Sequence, residues 1–181
     1  MVAKQDWLEA YKELCVILEA IPEVKHIDLW HEQIDYLPEE YPWPSGSIFI
    51  EFNTNDIETT GLKVQDINAE IDIYFCLDTL ADSYNESTTQ AIALAFGAVL
   101  KKIHKALQGV HGLNFSTLDR RSLRRVSAPQ YLMVYKQTYK CIIRDQSAMD
   151  EYEDREIKKV SVTPIAPVAA GNNSPLFTLP T

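Results

Sequence analysis

The chain has 181 residues, 46% hydrophobic and 10% aromatic, with a formal net charge of −9. That composition supports one domain with a real core plus extensions, and it excludes a disordered chain. No run approaches the roughly 18 apolar residues of a membrane span. The start MVAKQDWLEAYKEL is amphipathic and carries acids, unlike a signal or transit peptide, so a cytosolic origin is expected.

Residues 5–20 read as a helix, because Trp7, Leu8, Tyr11, Leu14, Cys15 and Leu18 recur at helical spacing before Pro22. Residues 24–34 read as a strand. The stretch LPEEYPWPSG (37–46) is a loop, which Tyr36, Tyr41 and Trp43 are expected to staple to the body. SIFIEFN (47–53) is a strand with Ile48, Ile50 and Phe52 on one face, and TNDIETTG makes a turn or a long hairpin tip.

The clearest element is VQDINAEIDIYFCLD (64–78). Ile67, Ala69, Ile71, Ile73, Phe75 and Leu77 hold the odd positions, while Asp66, Asn68, Glu70 and Asp72 hold the even ones. This is a half-buried strand with one acidic face. Such carboxylates sit about 6.6 Å apart along one face. With no histidine or glycine-rich motif beside them, a solvated or interface face is a better reading than a metal or catalytic site.

A second helix is expected over 88–108. Ser87 with Gln90 fits a capping box, and Gly109 fits a stop. Ile92, Ala95, Phe96, Val99, Ile103 and Leu107 form its stripe, and Lys101, Lys102 and Lys105 suit its C-terminal dipole. A short strand near 113–118 follows. The last strand, YLMVYKQTYKCIIRD (131–145), sets Tyr131, Tyr135 and Tyr139 on one face and Lys136 and Lys140 on the other. Tyrosines packing over the sheet therefore fit better than a base-stacking platform. Beyond 145 the chain turns charged, then Pro-rich and apolar, in VSVTPIAPVAAGNNSPLFTLPT. The expected division is a compact domain over 1–147 and, over 148–181, a charged linker and an extended arm. Fully extended, that Pro-rich stretch reaches on the order of 70 Å at about 3.3 Å per residue. Its apolar residues Val162, Ile165, Val168, Leu176, Phe177 and Leu179 are candidate arm contacts.

Chemistry-bearing motifs do not emerge. There is no GxGxxG, Walker loop, HExxH or GxSxG. His26, His31, His104 and His111 show no partner or pocket for a general base. Cys15, Cys76 and Cys141 lie far apart in apolar patterns, as reduced structural thiols do, and no spacing fits zinc. Neither enzyme activity, cofactor nor metal is expected.

Charge carries the most information. Residues 1–100 hold 19 Asp/Glu against 4 Lys, or −15, whereas residues 101–144 hold 10 Lys/Arg against Asp119, or +9. Four of the six arginines, Arg120, Arg121, Arg124 and Arg125, crowd into LDRRSLRRV (118–126), expected to be a projecting connection. The cluster has four readings: a solvated basic loop, docking onto an acidic surface, DNA contact, or a phosphate-type ligand. A head-to-tail oligomer joins two different patches, so opposite segments can pair between copies. Asp66, Glu70 and Asp72 are the candidate acidic counterparts.

The element order, YPWPSGSIFIEF followed by a turn and VQDINAEIDIYFCL, and NFSTLDRRSLRRV before a long strand together resemble small neck and tail-terminator proteins of tailed bacteriophages, particularly of phages of Bacteroidetes-type hosts. The resemblance spans roughly residues 1–147. It implies an α+β domain, a mostly antiparallel sheet with two main helices packed on it. It also implies a structural, non-enzymatic subunit without cofactor, located in the virion neck or tail and assembled in the bacterial host cytoplasm. Such subunits form homo-oligomeric rings, contact neck, portal-side or tail proteins, let double-stranded DNA pass transiently and touch no membrane. The alternative class is a nucleic-acid-binding module using the arginine cluster.

Overall fold

In the computed structural model, residues 5–35, 43–78, 83–128 and 132–149 are described. The arm residues Val162, Ile165, Val168, Leu176, Phe177 and Leu179 lie outside them, as do Tyr36, Tyr41 and Tyr131.

Helix α1 (Trp7–Glu19) begins where Asp6 leaves helical geometry and its carboxylate accepts the Glu9 N–H at 2.9 Å, an N-cap that satisfies one of the helix's unpaired donors. Among the described residues five strands follow: β1 (His26–Leu29), β2 (Ser47–Gly61), β3 (Val64–Asp78), β4 (Asp119–Val126) and β5 (Leu132–Asp145). They form one sheet in the order β1-β2-β3-β5-β4. The β1–β2 pair is parallel and the other three are antiparallel. The architecture is α+β, as expected.

The alternation of β3 sets the layers. Its odd residues Ile67, Ala69, Ile71, Ile73 and Phe75 join Ile48 and Ile50 of β2 and Tyr139, Cys141 and Ile143 of β5. Ala10, Leu14 and Leu18 of α1 close that core, with Val99, Leu100, Ile103 and Leu107 of α3 (Phe96–Leu107). Each fully buried aliphatic side chain contributes roughly 1.5–3 kcal/mol there. The opposite sheet face has a smaller core of Ile34, Phe49, Tyr74, Cys76, Leu132 and Val134. Trp30 stacks on Tyr74 with ring centroids 4.0 Å apart, and Trp43 meets Phe49 edge-on at 5.5 Å. Trp43 thus staples its loop as expected.

Several expectations need correction. The helix over 88–108 is broken. Helix α2 (Gln90–Ala93) gives way to a tightened turn before α3, where Ala95, Gly97 and Ala98 donate to the carbonyls of Ile92, Leu94 and Ala95. These i→i−3 bonds replace the α-helical pattern. They rotate the stripe, and Ile92 ends up 71% exposed. The Ser87–Gln90 capping box does not form: Thr89 is the N-cap, and Gln90 Nε2 donates to the Ser83 carbonyl. Gly109 does follow the C-cap of α3, at φ +78°.

The strand over 24–34 contracts to β1, followed by a 3-10 turn at Gln33–Asp35. Near 113–118 a single bridge, Phe115 to Ile143, replaces the strand. Of the two readings of 54–61, a turn or a long hairpin tip, the second holds: the stretch is the outer half of β2, paired to β3 until Gly61 meets Val64. Finally, LDRRSLRRV is no projecting connection but the edge strand β4.

Candidate functional site

The four arginines lie along β4, which pairs with β5 on one side only among the described residues. A bulge sorts them. Arg120 pairs with Tyr139 and Ser122 with Thr138, so Arg121 is the extra residue. Directly opposed residues share a face. Arg120 and Arg125 therefore share the helix-side face with Tyr139 and Tyr135, while Arg124 shares the other with Lys136.

Arg120 is half-buried and anchors the strand. Its Nη1 donates to Gln137 Oε1 at 3.2 Å, and the same oxygen accepts the Tyr139 hydroxyl at 2.9 Å. Gln137 is buried and donates in turn to the Leu100 carbonyl of α3 at 3.0 Å. Gln108, the C-cap of α3, holds the strand's start by donating to Asp119 and accepting the Arg120 N–H. Burial and then the Arg120 charge hold the nearby His104 imidazole below its usual value. Burial pushes the Tyr139 hydroxyl up.

Arg121, Arg124 and Arg125 are exposed. Arg121 makes a solvent-exposed 3.3 Å pair with Asp119. Among the described residues, no acidic side chain forms an ion pair with Arg120, Arg124 or Arg125.

Of the four acids of β3, Asp66 and Glu70 have cations directly opposite on β5, Asp72 lies opposite Thr138 and reaches the neighbouring Lys136, and Asp78 lies opposite Leu132. Asp66 receives Arg144 Nε at 3.0 Å, and Glu70 lies opposite Lys140. Asp72 is 3% exposed and receives Lys136 Nζ at 2.5 Å, Thr138 Oγ1 at 2.6 Å and Asn53 Nδ2 at 3.1 Å. The expectation of a solvated or interface face therefore fails for Asp72 within the subunit, because Lys136 and Thr138 of β5 and Asn53 of β2 close over it. Elsewhere, Glu23 pairs with Lys102 of α3, and that ion-paired hydrogen bond keeps its carboxyl low.

Sequence reasoning missed Asp56 and Glu58. They lie on the outer half of β2, on the same face as Asp66, opposite Asn68 and Asp66. Both are exposed, and among the described residues neither has a cationic partner in an ion pair. The signal was present as carboxylates two apart in TNDIETTG, but a turn or a hairpin tip without a register left their common face unassigned.

Among the described residues no group of three His, Cys, Asp or Glu side chains is placed to hold a metal. An open groove of about 360 Å³, with Trp7, Trp30, Phe52 and Ile143 in its wall, offers one carboxylate, Glu51, and one hydroxyl, Thr54. The Glu51 carboxylate is already engaged by the Tyr74 hydroxyl at 2.7 Å.

No protein-family model matches this chain, and no curated protein does. Among solved structures, the chain is similar to one from the virion of a native gene transfer agent particle. The two are 12% identical with a TM-score of 0.37, covering 76% of this chain and 88% of that one.

Proposed function

We propose that this chain is a structural, non-enzymatic virion subunit, a tail-terminator-like or neck protein that assembles into a ring joining phage head and tail. One observation carries the reading. An acidic chain places four arginines on one exposed sheet edge, while on its own β3 Asp66 and Glu70 lie opposite Arg144 and Lys140 of β5 and Asp72 pairs with Lys136 instead. A surface left charged in the subunit is available to a neighbour, and a ring repeats one heterologous contact until it closes. The sequence resemblance to neck and tail-terminator proteins supports the same role. DNA passes transiently through the ring, and an overall negative charge limits its retention, since phosphate affinity rises with each basic contact. Neighbouring neck, portal-side or tail proteins complete the partner set, no cofactor is used, and the protein resides in the virion after assembly in the host cytoplasm.

Light scattering on the full chain, followed by negative-stain imaging, tests this. Closed rings with an opening wide enough for duplex DNA are expected, and a species without rings at every concentration refutes it.

The exposed arginines favour one second reading, a nucleic-acid-binding module. Replacing Arg120, Arg121, Arg124 and Arg125 with Ser and titrating DNA at several salt concentrations distinguishes it. Tight binding with a steep salt slope that the replacement abolishes supports this alternative.

A further inference from the structure

We infer that the β4 edge of one copy pairs, strand to strand, with the outer β2 edge of a second copy of this chain, so that the sheet continues across the subunit boundary. The inference specifies the contact surface for the ring reading above and rests on it.

Charge is graded across the sheet. On the face opposite the helices, β2 carries Glu51, Asp56 and Glu58, and β3 carries Asp66, Glu70 and Asp72. On the same face β5 carries Lys136, Lys140 and Arg144, and β4 carries Asp119 opposite Lys140 before its bulge and Arg124 opposite Lys136 after it. Between β3 and β5 the charges oppose and cancel. At the two margins like charges lie directly opposite each other: Glu58 beside Asp66, and Arg124 beside Lys136. Such pairs are unfavourable within the subunit, and an opposite charge on the outer side of each edge relieves them.

The backbone agrees. β1 pairs with β2 only from Ser47 to Ile50, which leaves the rest of β2 without an outer strand among the described residues. The last 8 residues of β2 are all exposed, and β4 is 8 residues long. Bulges at Asn55 and Thr60 bracket 56–59, and the bulge at Arg121 leaves 122–126 regular. Regular windows of similar length therefore face outward at both margins, each with N–H and C=O groups that no strand pairs among the described residues and that template one. Docking one window on the other places Asp56 and Glu58 on a shared face with Arg124, with Arg121 at the rim. Two β4 edges repel, as do two β2 edges, so the charges select the head-to-tail mating.

The test uses the full chain with two double variants, R121E/R124E and D56K/E58K, with circular dichroism and Tm confirming that each folds. Size-exclusion chromatography with light scattering and negative-stain imaging read assembly. Wild type is expected to assemble and to weaken with salt. Each variant alone carries like charge on both edges and is expected to lose association by at least ~100-fold. An equimolar mixture restores both junctions and reassembles. Variants that assemble alone as well as wild type overturn the edge pairing, and rings that persist in them leave the ring reading standing. Open chains that the variants abolish support the pairing and refute the ring. Wild type that stays monomeric at every concentration overturns both.

Discussion

Replacing Asp72 with Ala removes the acceptor at the centre of a buried cluster. Its carboxylate takes bonds from Lys136, Thr138 and Asn53, and the ion-paired side chains are 5% and 11% exposed. The substitution leaves the Lys136 ammonium buried without its partner over the Tyr74 ring, 5.3 Å from the centroid. Breaking a buried pair from one side costs roughly 3–5 kcal/mol, because the orphaned charge keeps its desolvation penalty. At about 2–4 °C per kcal/mol for a chain of this size, Tm falls by roughly 6–20 °C. Urea unfolding at one fixed protein concentration is the assay, since assembly adds stability by mass action. The midpoint is expected to drop with the slope unchanged. The double variant D72L/K136M removes both charges and is expected to recover most of the loss. A cost below about 1 kcal/mol for Asp72→Ala, or a double variant no better than the single one, refutes the assignment of this pair as a desolvated ion pair.

Burial pushes the thiols of Cys76 and Cys141 up to about 12. At pH 8 both are therefore protonated, and an alkylating reagent followed by mass spectrometry is expected to label the half-buried Cys15 first and these two only on unfolding. Gly46 sits at φ +91°, and an added Cβ would lie 2.6 Å from the Glu23 carbonyl oxygen. Gly46→Ala is expected to cost more than about 1 kcal/mol by denaturant titration, whereas Gly97→Ala, which meets nothing within 4 Å, is expected to be neutral or stabilising. His104 is held below the ordinary imidazole value of 6.5 by burial and by Arg120. The unfolded chain then takes up the proton first as pH falls below about 6.5, so stability declines on acidification; above it both states are neutral and the site adds no slope. His104→Gln is expected to flatten that part of the stability–pH curve, and Arg120→Gln to raise the His104 titration midpoint by NMR.

The contrast between β3 and β4 explains what could be read in advance. β3 is central, with one face against the helices, so burial imposes an alternation that the sequence displays. β4 is a margin strand with two largely wet faces and a bulge at Arg121 that interrupts its period. No apolar alternation is required there, and its residue types are those of a solvated loop. The outer half of β2 was left between a turn and a hairpin tip for the same reason: Asn, Thr and Gly in an exposed hairpin do not decide between them until the register with β3 is known. The break before α3 has no proline to announce it, because it is a local tightening of hydrogen bonds rather than a steric stop.

The candidate site follows the same logic at the level of charge. Counting charge along the chain divided it into an acidic and a basic segment, but could not pair them. Register does: Asp66 receives Arg144, Asp72 receives Lys136, and Glu70 lies opposite Lys140, so much of the contrast is cancelled inside one subunit. At the two margins of the sheet, Asp56 and Glu58 on one and Arg124 and Arg125 on the other have no ion-pair partner among the described residues. Exposed strand edges invite unwanted pairing, and charged side chains are a common defence. A defence alone works with either sign at either edge. Opposite signs at opposite edges block like with like while leaving one mating open, and that asymmetry is what a repeating head-to-tail assembly requires.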